Sequence, residues 1–93
     1  MNFSISPELE ELRRRVARFV EDRLLPLEAD RANYDDHENI ALDVLARERA
    51  AAREAGLWCL QMPRALGGGG LGKAGMAVVY EEMNRSIFGP VVF

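Results

Sequence analysis

Cysteine and histidine are nearly absent from this chain, with one of each, Cys59 and His37, in 93 residues. A lone cysteine excludes an internal disulfide and points to a reducing, cytoplasmic setting. It lies among Leu57, Trp58 and Leu60, where a thiol serves as a small core residue. His37 falls in the polar stretch Asn33-Tyr34-Asp35-Asp36-His37-Glu38-Asn39. Successive residues of a loop point in different directions, whereas a metal needs ligands that converge at defined spacing. That stretch therefore reads as a solvated loop, with Asp or Asn capping the next helix. An excess of basic charge is also missing. Lys and Arg total 12 against 15 acidic residues, a net charge of −3, which excludes a basic nucleic-acid footprint. The densest basic run, Arg13-Arg14-Arg15 with Arg18, is interleaved with Glu8, Glu10, Glu11 and Glu21, the pattern of a solvated helix face. No apolar run approaches the roughly 18 residues of a membrane span. The opening Met1-Asn2-Phe3-Ser4-Ile5-Ser6-Pro7 has neither the basic start nor the apolar stretch of a secretory signal.

What is present is globular. Apolar residues make up 48% and charged residues 29%, enough for a single small domain over residues 1–93. Helical periodicity dominates, and the expected fold is all-α, with three to four helices and a glycine-rich connector. The first helix opens at Ser6-Pro7, a serine N-cap followed by proline at N1. Leu9, Leu12, Val16, Phe19, Val20, Leu24 and Leu27 recur at spacings of three and four. Pro26 should interrupt this pattern near Leu24-Leu25 and let it fade by Arg31. A second helix is expected from Asp36 or Asn39 to Ala55, burying Ile40, Val44, Leu45, Ala52 and Ala55. Arg47, Glu48, Arg49, Arg53 and Glu54 mark its wet side, and Gly56 ends it. A third helix begins between Leu71 and Gly75 and ends between Asn84 and Ser86. Its Met76-Ala77-Val78-Val79-Tyr80 is apolar on every face, which places it inside something. Glu81 and Arg85 are spaced for an i,i+4 ion pair, while Glu81 and Glu82 diverge too far to act as an acid/base pair. The tail Ile87-Phe88-Gly89-Pro90-Val91-Val92-Phe93 is apolar where chain ends are ordinarily polar. It is expected to be cut, or docked on a surface that these residues do not supply.

The stretch Gly67-Gly68-Gly69-Gly70-Leu71-Gly72-Lys73-Ala74-Gly75 matches the beginning of a P-loop and the G-x-G-x-x-G of a dinucleotide fold. The P-loop needs a Ser or Thr hydroxyl after the lysine to ligate magnesium, and Ala74 offers none. Both motifs need a preceding strand within a parallel sheet, and Pro63 interrupts the short extended run before the glycines. The glycines read instead as a turn that tolerates positive φ.

Three segments then resemble the amino-terminal domain of acyl-CoA dehydrogenases: Gly56-Leu57-Trp58; Met62-Pro63-Arg64-Ala65-Leu66-Gly67-Gly68-Gly69-Gly70-Leu71; and Met76 through Arg85 with Glu81-Glu82-Met83. Tyr34 through Ile40 and Arg85 through Phe93 look closest to the branch of human family members ten and eleven and their bacterial relatives. Leu66 stands where the family has an aromatic and Gly69 where it has a larger residue, so a looser turn is expected. The resemblance implies a three-part enzyme of which this chain is the first part, followed by a middle β domain and a carboxyl-terminal helical bundle. It implies FAD held chiefly by the later parts, where a carboxylate removes the α-proton of an acyl-CoA thioester while hydride leaves to the flavin. No catalytic, metal or cofactor-binding residue is assigned to this chain. By the same match Phe88, Val91 and Val92 are candidate walls of the acyl pocket. The remaining domains, or another copy of the chain, are the implied partners of the apolar carboxyl-terminal surface. A free-standing helical interaction module using the third helix and tail is the alternative.

Overall fold

The computed structural model describes residues 6–62, 64 and 69–93. Helix α1 runs Pro7–Phe19, with the Ser6 hydroxyl accepting from the Leu9 amide and proline in the first turn, as the sequence predicts. The course then widens into a π-helical turn, Val20–Leu24, and tightens into a 3-10 turn, Leu25–Leu27. Pro26 explains the change of pitch. It has no N–H to give the ladder, and its ring would clash with the carbonyl four residues back. The Leu25 amide reaches back five residues to the Val20 carbonyl, and both Val20 and Leu24 turn wholly inward.

A further 3-10 turn, Arg31–Asn33, leads to a loop closed by a single antiparallel bridge between Tyr34 and Ile40. Inside it the Asp35 carboxylate accepts from the His37 amide at 2.8 Å and the Asn39 amide at 3.0 Å. The acidic loop thus caps itself rather than the following helix. Helix α2 begins later than expected, spans Leu42–Glu54, and has Ala41 at its N-cap without a side-chain bond. Its end is the expected one. Gly56 adopts φ +74°, its amide bonds the Arg53 carbonyl, and the Leu57 amide bonds the Ala52 carbonyl, a Schellman ending.

The hydrogen bonds from Asn39, then His37, hold the Asp35 carboxyl below its ordinary value of 3.8. A depressed folded pKa means that the loop's stabilisation is present above the unfolded value and is lost as pH falls through the folded one. Amide resonances of His37 and Asn39 should therefore titrate below pH 3.8. Asp35→Asn should abolish that transition, and its persistence in the variant would assign it elsewhere.

Helix α3 spans Lys73–Met83 and helix α4 is one turn, Gly89–Val92. Helix α1 packs chiefly against α3, and α2 against α4. Met76, Val79 and Met83 supply the buried side of α3, while Tyr80 remains 47% exposed. Among the described residues α3 is thus covered on one side only, in keeping with its apolar circumference.

Two charged groups differ from expectation. Glu48, assigned to the wet side of α2, is only 3% exposed. Arg23 from the π turn grips it with Nε at 2.7 Å and Nη2 at 3.3 Å, and a paired charge can be buried where a lone one cannot. Its position was readable, since Val44, Glu48 and Ala52 form one i,i+4 stripe. Arg85 does not pair with Glu81. Helix α3 ends at Met83, which breaks the i,i+4 register, and Arg85 bridges Glu21 at 3.0 Å and Glu82 at 3.2 Å. Glu82 also receives Arg13 from α1 at 2.9 Å, so these charges join α1 to α3.

Candidate functional site

The acyl-wall candidates lie on one short element whose placement is fixed by close backbone contacts. Gly89 presses on the end of α3, where an added Cβ would meet the Met83 carbonyl oxygen at 1.8 Å. The Phe93 carbonyl accepts from the Cys59 amide at 2.9 Å, and Cys59 holds a left-handed φ of +51°. Arg49 on α2 donates its Nε–H to the Val91 carbonyl at 2.8 Å. The Ser86 hydroxyl accepts from the Phe88 amide, which leaves the buried serine satisfied.

These contacts separate the three residues. Phe88 and Val92 are 3% and 0% exposed and belong to the domain's own core. Phe88 lies against Tyr34, ring centroids 5.2 Å apart, and Phe93 meets Phe19 edge-on at the same distance. Val91 is 42% exposed and Ile87 65%. Both line an open groove of about 430 Å³ with Ile40, Leu42, Leu45 and the buried Phe88, and Asp35, Glu38 and Arg49 also border it. The tail is thus only partly in need of an outside cover: its inward face is satisfied within the chain, and its outward face is not. Ile87 and Leu42 were missed as groove residues, although Leu42, 80% exposed, stands out as a large apolar residue opening an otherwise polar helix face.

A second groove of about 500 Å³ runs along α3 between Leu71, Met76, Ala77 and Tyr80, with Lys73 and Gln61 at its edge. Lys73 opens α3 at the surface. On the described side the glycine connector is tied rather than loose. Gly69, Gly70 and Leu71 donate to the carbonyls of Cys59, Met62 and Leu60, and a Cβ on Gly69 would lie 2.9 Å from Leu60 Cδ2. Pro63 and residues 65–68, with the Leu66 departure, lie outside the described residues.

The described residues offer no set of donors fitted to FAD. A dinucleotide needs donors for two phosphates, and the described cavity richest in cations holds Arg15, Arg18 and Arg23 around about 270 Å³. That is below the range of about 300–1,000 Å³ typical even of drug-sized ligand sites. Arg15 there is bonded to the Ala55 carbonyl and Arg23 to Glu48. Among the described residues no three His, Cys, Asp or Glu side chains gather as metal ligands, and no helix is long and apolar enough to cross a membrane.

Residues 6–93 match the family model described as the N-terminal domain of acyl-CoA dehydrogenase. The chain is 33% identical over 95 residues to (R)-benzylsuccinyl-CoA dehydrogenase of Thauera aromatica, an alignment that covers 96% of this chain. It spans only 23% of the length of that relative. No solved structure matches the chain.

Proposed function

Since the chain belongs to the acyl-CoA dehydrogenase family, as its amino-terminal helical domain, we propose that it serves as the non-catalytic first part of an enzyme that α,β-dehydrogenates an acyl-CoA thioester. The observation that carries this reading is that exposed Ile87 and Val91 line one groove together with buried Phe88, while Val92 is locked in the core. An alkyl or aryl tail is held by apolar walls that carry few unpaired polar groups, and Val91 with Ile87 offers such a wall. Phe88 and Val92 back it from beneath and fix its depth. The curated relative is named for an acyl-CoA thioester, which accords with this substrate class. FAD and the proton-abstracting carboxylate belong to the remaining domains, in a cytoplasmic enzyme. Those domains also cover the α3 groove, where Tyr80 stands exposed.

The test is dye-coupled oxidation of acyl-CoA thioesters. The complete polypeptide carrying this domain should reduce the dye with FAD bound, and the 93-residue chain supplied with free FAD and acyl-CoA should not. Turnover by the short chain, or a complete polypeptide that is inactive on every acyl-CoA offered while retaining flavin, would count against the proposal.

A further inference from the structure

We infer that Arg49 is a positioning residue for the acyl wall: its hydrogen bond to the Val91 carbonyl sets the roll of α4 and thereby turns Val91 toward the groove. The inference rests on the reading of Val91 just given. Helix α4 has a single turn and no side-chain cap, so it cannot hold its own orientation; isolated helices this short are unstable. Gly89 against Met83 fixes where α4 starts, and the Cys59 amide on the Phe93 carbonyl fixes where it stops. Both lie at its ends. The Arg49 bond at 2.8 Å is a side-chain hydrogen bond that reaches α4 between them, from α2, in addition to the packing of Val92 in the core.

The arginine is also chemically suited to that role. Arg13, Arg14, Arg23, Arg47 and Arg85 all pair with carboxylates. Arg49 has no carboxylate partner among the described residues, and its hydrogen bond goes to a carbonyl. A guanidinium presents its donors in a rigid fork, which defines direction better than a flexible ammonium. Asp35 and Glu38 also border the groove, and neither forms an ion pair with Arg49 among the described residues.

The experiment uses Arg49→Met, which keeps an unbranched stem as far as the position of Nε and removes the donors, and Arg49→Lys, which keeps a donor. In the 93-residue chain, the methyl resonances of Val91 and Ile87 should move in the methionine variant while those of Val16 and Val79 stay in place. In the complete enzyme, the methionine variant should lose roughly tenfold in kcat/KM for long acyl chains, through KM, because small displacements of a positioned group are costly. Short acyl chains should be unaffected, and the lysine variant should recover most of the loss. Val91→Phe is the companion that tests the acyl wall itself. If Val91→Phe shifts chain-length preference and Arg49→Met does not, the positioning role is overturned and the wall stands. If neither shifts it, both fall. Equal losses for all chain lengths, or a methionine variant that only melts earlier, also overturn the inference. Should Arg49→Met fail to fold, Arg49→Leu takes its place, because it stops one atom short of the donating Nε and carries no donor, with the same outcomes.

Discussion

Gly89→Ala is expected to destabilise the domain by about 3 kcal/mol, at the upper end of the usual penalty for overpacking. The cause is not backbone conformation, since Gly89 does not have a positive φ. It is space: the added methyl would sit 1.8 Å from the Met83 carbonyl oxygen and 2.7 Å from the carbonyl carbon. Backbone atoms cannot rotate aside as a flexible side chain can, so α4 would have to lift from the end of α3. Phe88 and Val92, both buried, would lift with it. Urea denaturation measures this directly, as a lower midpoint at constant slope. Gly72, where a Cβ meets nothing within 4 Å, is the control and should lose at most about 1 kcal/mol as a cap position. A change at Gly89 no larger than at Gly72 would mean that α4 is not seated as described.

Leu24→Ala should produce a loss of similar size, about 3 kcal/mol, by leaving a cavity where a fully buried leucine stood. Leu24 is 0% exposed at the end of the π turn, and the proline that follows limits how far the backbone can settle into the space. For a domain whose total stability is of order 5–15 kcal/mol, such a loss removes much of the margin. Leu27, in the next turn and only partly buried, should lose clearly less on the same substitution. Near-equal losses at the two positions would show that the π turn does not aim Leu24 into the core.

Much of this fold is legible in the residues. Ser6-Pro7 announces the start of α1, and Gly56 announces the end of α2, because each residue has a backbone chemistry that few others share. Pro26 announces an interruption but not its form. Loss of one N–H can be absorbed by a kink, a break or a widened turn, and the residues around Pro26 do not by themselves select among them. The burial of Glu48 is of the same kind. Its inward register is visible, but a carboxylate goes inside only when a distant cation arrives. The late start of α2 was hidden because Asp35 could have capped a helix as readily as it caps its own loop.

The candidate site is less legible than the fold. A single helical turn at the end of the described chain carries too few residues for periodicity to say which side is buried. Phe88, Val91 and Val92 look equivalent in sequence, and only the packing of Tyr34 on Phe88 and the reach of Arg49 separate them. The apolar circumference of α3, by contrast, correctly signals a face without a cover, because two neighbouring helices cannot surround a third.

The proposed role depends on the uncovered faces of α3 and of the tail, and hydroxyl-radical footprinting tests them most directly. Tyr80, Ile87 and Val91 are all more than a third exposed in this domain and should label readily in the 93-residue chain. In the complete polypeptide with its FAD bound, labelling of all three should fall to the level of buried Val79. Unchanged labelling of Tyr80 and Ile87 in the two forms would show that the remaining domains do not rest on this surface, and the assignment of the domain's role would fail.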